Sequence, residues 1–237
     1  MLEKLGQRGH EALKKEIEIS TILNHKHIVR LYDTIKTEKN NYLIFEFCGG
    51  GDLKSYLTEK RRLSEPVAQR FMHQICSGLQ YLYCQNIMHR DLKLQNILMT
   101  ERGDSANLKL ADFGLAKRQE TKDDLFETIC GTPIYMAPEL QRHENYTEKA
   151  DLWSLGIILY EMVTGMPPFI AKNREELKKA IERGRLVIPP DVKISPPCLN
   201  LIHCLLQNDV GTRIQWKDLF EHPFIKFDEK TFKAYYE

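Results

Sequence analysis

Apolar positions recur at two periods along the chain, and the change from one to the other separates a short first part from a longer second part. Residues 9–24 set Leu13, Ile17 and Ser20 on one face against lysines and glutamates, the spacing of an amphipathic helix. Two strand-like runs follow, Ile28–Thr34 and Asn41–Phe47, separated by a polar Lys-Thr-Glu-Lys-Asn turn. Gly49-Gly50-Gly51 then breaks the pattern and reads as a flexible hinge. Beyond it the helical period dominates. Residues 52–60 suit a short helix, and Ser64 and Pro66 open a longer one as N-cap and first-turn proline. Val67, Phe71, Ile75, Leu79 and Leu82 carry that helix to about Cys84. Short strands and loops are expected over 87–139, and helices near 150–164, 173–183, 197–207 and 215–221. The fold class predicted is α+β, a two-layer head on a helical body.

Composition narrows the function classes. With 34 basic and 33 acidic side chains the net charge is +1, so nothing points to nucleic acid or an anionic membrane as partner. The most apolar stretch, Leu152 to Val163, is about twelve residues, short of the roughly 20 that a membrane helix needs. No apolar leader opens the chain, and direct membrane insertion is not expected. The six cysteines are scattered with no CxxC pair, which argues for free thiols in a reducing compartment rather than a disulfide or metal framework. A cytosolic, cytoplasmic protein is the expectation.

The chemistry concentrates between residues 89 and 139. His89-Arg90-Asp91-Leu92-Lys93-Leu94-Gln95-Asn96 matches the pattern H-R-D-L-x-x-x-N. Asp112-Phe113-Gly114 follows, then Gly131-Thr132-Pro133-Ile134-Tyr135-Met136 and Ala137-Pro138-Glu139. The first, second and last of these, in this order and spacing and joined by residues 131–136, resemble the protein kinase family, from about residue 10 to residue 225. The runs Phe-Glu-Phe-Cys-Gly-Gly-Gly-Asp-Leu and Lys-Ala-Asp-Leu-Trp-Ser-Leu-Gly look most like the autophagy-initiating kinases, and calcium/calmodulin-type kinases share much of both.

The resemblance implies a serine/threonine kinase using ATP and Mg²⁺ on protein substrates. Phosphoryl transfer needs in-line positioning and charge neutralisation more than covalent catalysis. On this basis Asp91 orients the substrate hydroxyl, and Asn96 and Asp112 supply hard oxygen ligands to Mg²⁺. Lys93 stands beside the transferred phosphate, and Thr132 joins the catalytic set. Glu16, Phe45 as gatekeeper, Glu46 and Cys48 at the hinge, and Leu98 beneath the adenine form the cofactor-binding set. Arg90 and Thr128 are the regulatory pair, a phosphate on Thr128 ordering its loop against Arg90. Ile129, Pro133 and Met136 imply an apolar socket for the side chain after the phosphoacceptor, while Gln95 in place of a glutamate argues against a preference for upstream arginine. His89, Phe113, Asp151 and the pair Glu139–Arg213 are scaffold residues.

The same resemblance divides the chain into a partial N-terminal lobe at 1–47, a hinge at 48–51, a C-terminal lobe at 52–225 and a tail at 226–237. A kinase opens with a glycine-rich loop and a strand lysine that pairs with a helix glutamate, here Glu16. That lysine is expected about 16 to 20 residues before Glu16, ahead of Met1. Losing one preorganised cation costs about 10²–10³ in rate. A shortened piece of a normal kinase is expected, because Asp91, Asn96 and Asp112 are intact; the alternative is a noncatalytic kinase-like binding module.

Overall fold

The computed structural model describes residues 7–38, 40–118 and 132–226, with side chains from residue 13 onward. Its first layer is α1 (Gln7–Ile22) and a two-stranded antiparallel sheet, β1 (Leu31–Lys36) and β2 (Asn41–Phe45). The inward face of α1 is carried by Ile19 and Ser20, continued by Leu23 just past its end, whereas Leu13 and Ile17, expected there from the spacing, are only half-buried. The first strand also begins later than expected. Ile28 and Val29 are buried, and they are stitched to the second layer instead: Val29 N–H donates to the Leu110 carbonyl at 2.9 Å, and Leu110 N–H to the His27 carbonyl at 2.9 Å. Only beyond them is the chain free to pair with β2.

The second layer is the helical body. α2 (Leu53–Lys60) starts at Asp52, whose carboxylate accepts the Ser55 N–H at 2.8 Å. α3 (Glu65–Cys84) buries Phe71, Met72, Ile75, Leu79 and Leu82, close to the expected stripe. Ser64 occupies its N-cap position without making a capping bond. Two-residue strand β4 (Ile87–Met88) and the hairpin β5 (Ile97–Met99) and β6 (Leu108–Leu110) follow, then β7 (Lys117–Arg118), which pairs with β4. α4 (Pro138–Gln141) is a single turn that the sequence pattern did not suggest. α5 (Lys149–Thr164) is buried along its whole length, as a helix apolar on every side must be. α6 (Arg174–Arg183), α7 (Pro196–Leu205) and α8 (Trp216–Phe220) complete the body near their expected places. No helix among the described residues is long and apolar enough to cross a membrane.

The glycine run is less free than its composition suggests. Gly50 N–H donates to the Met99 carbonyl at 2.9 Å, and β3 (Gly51–Asp52) pairs with β5 through Gly51–Met99 and Asp52–Leu98. A Cβ on Gly50 would lie 2.3 Å from the Glu101 carbonyl oxygen, so glycine serves here for close backbone approach. The flexible stretch therefore shortens to the residues before Gly50.

Candidate functional site

β4 delivers the chain into the loop 89–96, and Asp151 in the first turn of α5 shapes that loop from below. Its two carboxylate oxygens accept the His89 N–H at 2.8 Å and the Arg90 N–H at 3.0 Å. Arg90 adopts φ 67°, a left-handed conformation that side-chain residues seldom take, and these two bonds help to hold it. Burial pushes the Asp151 carboxyl up from its ordinary range, while His89, both N–H donors and the Arg90 charge oppose the rise.

Above this brace, four side chains converge. Lys93 Nζ donates to Asp91 Oδ2 at 2.5 Å and to Thr132 Oγ1 at 3.1 Å, and Thr132 Oγ1 lies 3.3 Å from Asp91 Oδ1. Asn96 Nδ2 donates to the Asp91 carbonyl at 2.9 Å and to Asp91 Oδ2 at 3.1 Å. With its amide nitrogen so engaged, Asn96 keeps its Oδ1 lone pairs available to a cation or donor. Asp91 and Asn96 are buried, Lys93 partly so. The 3-10 turn Leu94–Asn96 turns Asn96 back toward Asp91 and leaves Gln95 exposed.

A second loop lies against the first. Ala111 N–H donates to the Asn96 carbonyl at 2.9 Å, and the Ala111 carbonyl lies 3.1 Å from His89 Nε2. Phe113 is buried with its ring 5.1 Å from that of His89, so both pack as scaffold. Between them Asp112 takes φ 65°, with its Oδ1 accepting the Gly114 N–H at 3.3 Å. A Cβ on Gly114 would be 3.3 Å from Asp112 Oδ1 and 3.4 Å from Glu16 Oε2, so the two carboxylates flank one spot. Burial, and then the Asp112 charge, push the Glu16 carboxyl up. Among the described residues no cation pairs with Glu16.

The positions expected from the sequence to meet the nucleotide lie on β2, on the chain just after it and on β5. Phe45 ends β2 and is exposed, Phe47 is 89% exposed, and Cys48 and Leu98 are half-buried. Glu46 is anchored: its N–H donates to the Arg30 carbonyl at 2.8 Å and its carboxylate pairs with Lys109 Nζ at 2.8 Å. Lys109 also donates to the Lys26 carbonyl at 2.9 Å. Sequence reasoning missed Lys109. Only the fold reveals it, by setting Lys109 opposite Leu98 in the β5–β6 hairpin, where paired residues share a face.

Arg213 pairs with Glu139 as expected, through two parallel hydrogen bonds at 2.8 and 2.9 Å, with both side chains buried. Pro133 and Met136 are half-buried, Met136 packed on the core. Arg90 stands with its guanidinium carbon 5.7 Å from the Tyr146 ring centroid. Thr128 and Ile129 lie outside the described residues.

The family model described as "Protein kinase domain" matches residues 2–225. Serine/threonine-protein kinase atg1 of Dictyostelium discoideum is 42% identical over 221 residues, 92% of this chain and 33% of its own length. Serine/threonine-protein kinase ATG1a of Arabidopsis thaliana is 40% identical over 225 residues, 94% of this chain and 36% of its own length. Serine/threonine-protein kinase ULK3 of Mus musculus is 41% identical over 227 residues, 95% of this chain and 48% of its own length. The chain thus spans between a third and a half of these relatives.

Proposed function

The chain belongs to the protein kinase domain family, and on that premise we propose that it transfers the γ-phosphate of ATP to serine and threonine hydroxyls of proteins. The cluster of Asp91, Lys93, Thr132 and Asn96 carries the reading. Asp91 accepts the substrate hydroxyl's hydrogen bond and aims its oxygen in line with the phosphate. Lys93, already bonded to Asp91 and Thr132, supplies positive charge beside the moving phosphoryl group. The oxygens of Asn96 and Asp112 fit Mg²⁺, a hard cation that would neutralise phosphate charge when bound. Adenine is met by the backbone of Glu46 to Cys48 and rests on Leu98, with Phe45 behind it. Pro133, Met136 and Ile129 form an apolar socket after the phosphoacceptor, and phosphate on Thr128 pairs with Arg90. The relatives' names agree with the resemblance to autophagy-initiating kinases, and signalling in that process is the proposed setting.

A noncatalytic kinase-like binding module is the second reading. It is favoured by Glu16, which among the described residues faces Asp112 and pairs with no cation. Phosphate transfer to a serine/threonine peptide library separates the two. Asp91→Asn is expected to lower turnover about 10²–10⁴-fold, the usual share of a positioned acid–base group, and Asp112→Asn to abolish Mg²⁺-dependent transfer. Equal turnover in Asp91→Asn and wild type would sink the kinase reading. A nucleotide-dependent rise in melting temperature, worth about 2.7 kcal/mol at 100 Kd, is expected of the kinase, and its absence together with absent transfer supports the second reading.

A further inference from the structure

The turn after Cys48 is held by more attachments than its three glycines need. Gly51 N–H donates to the Cys48 carbonyl at 3.5 Å, closing the turn, and Gly50 N–H is fixed on Met99 at 2.9 Å. The Gly50 carbonyl accepts Arg102 Nη1 at 3.0 Å. Arg102 stands in the loop between β5 and β6, and its other arm, Nη2, donates to Glu59 Oε2 on α2 at 2.7 Å. The guanidinium carbon lies 5.0 Å from the Tyr56 ring centroid. Tyr56 is buried in α2, and its hydroxyl donates to Asp104 Oδ1 at 2.6 Å.

One planar fork therefore ties three separate elements: the turn, α2 and the β5–β6 loop. A guanidinium can do this because its donors are rigidly arranged; an ammonium is a point charge. The pair with Glu59 lies at the surface, where an ion pair alone is worth little. The effect lies in where the fork is attached. Upstream, Glu46 is held by Lys109 of the same hairpin, so only Phe47, Cys48 and Gly49 stand between the two anchors.

We propose that Arg102 is a positioning residue for nucleotide: it locks the turn behind Cys48, so that the backbone meeting adenine is set before the nucleotide arrives. The hairpin bearing Leu98 then supplies both the floor of the slot and the clamps on its edge. The proposal rests on the kinase reading of this site, and its test must fail separately from that reading.

The test uses Arg102→Ala and Arg102→Lys with two readouts. In the nucleotide-free chain, hydrogen exchange at the Gly50 and Gly51 amides is expected to rise about tenfold in Arg102→Ala, with exchange in α5 unchanged. Calorimetric titration with Mg·ADP is expected to give a Kd about fivefold higher, as when the binding-competent turn falls to a fifth of the population. Arg102→Lys should resemble Arg102→Ala more than wild type. Transfer at saturating ATP should stay within twofold, because Arg102 touches no reacting atom. Unchanged exchange, or an unchanged Kd in a wild type that binds, overturns the proposal. A wild type that binds no adenine nucleotide overturns the kinase reading instead, and the exchange experiment still decides whether Arg102 locks the turn.

Discussion

The Ser20 hydroxyl is buried, at 4% exposure, with no hydrogen-bond partner among the described residues. It sits one helical turn after Glu16, on the inward face of α1. An unsatisfied buried hydroxyl costs about 1–3 kcal/mol, and alanine removes it without needing space. Ser20→Ala is therefore expected to stabilise the chain by about 1 kcal/mol, seen as a rise of about 2–4 °C in a thermal melt. A lower melting temperature would mean that the hydroxyl has a partner in solution. Asp151 should respond in the opposite direction. Asparagine there would point an amide N–H₂ at either the His89 or the Arg90 N–H, leaving a buried donor unpaired. A loss of about 2 kcal/mol or more in urea unfolding is expected, and an unchanged midpoint would contradict the brace. The motif residues were legible in the sequence because their partners lie nearby in the chain or in a fixed motif order. Lys109 and Arg102 were not, since Glu46 and Gly50 lie more than fifty residues away and no local pattern couples them.

Gly49 and Gly50 look alike in the sequence and differ in the fold. A Cβ on Gly49 meets Phe47 Cε1 at 3.4 Å and the Thr100 carbonyl at 3.6 Å, ordinary contacts. A Cβ on Gly50 would force apart two backbones that carry the β3–β5 pairing. Gly49→Ala is expected to change stability by no more than about 1 kcal/mol, and Gly50→Ala to cost about 1–3 kcal/mol as overpacking. Chemical denaturation of both variants checks the contrast, and equal effects would restore the freely flexible hinge. Elements with a full helical period, α3 and α5 above all, were legible to within a residue or so, because a long buried face leaves a long signal. The first strand was placed early for a physical reason. Ile28 and Val29 are apolar for the sake of the junction with Leu110, and alternation alone does not say which partner a buried residue serves. The two-residue strands β3, β4 and β7 carry too few positions for any period.

The two layers meet along residues 25–29, and a histidine sits in that junction. His27 is 6% exposed, and its Nδ1–H donates to the Leu108 carbonyl at 2.9 Å. Burial pulls its pKa down to about 4; Lys26, His25 and Lys109 pull the same way and the Leu108 bond opposes. In the unfolded chain the group returns to about 6.5. Between these values the unfolded state binds more protons, so the contribution of His27 is complete above pH 6.5 and lost as pH falls toward 4. From pH 7.5 to pH 5 that amounts to about 2 kcal/mol, at roughly 1.4 kcal/mol per pKa unit. His25, His73 and His222 are also lowered by burial and add in the same direction, whereas Glu16 and Asp151, raised by burial, act in the opposite one. A difference between two proteins isolates the one residue. Glutamine at position 27 keeps an N–H₂ for the Leu108 carbonyl and takes no proton. Urea unfolding of wild type and His27→Gln at pH 7.5, 6 and 5 should show wild type losing about 2 kcal/mol more than the variant. Parallel pH profiles would place the acid sensitivity of the interlayer junction on another group.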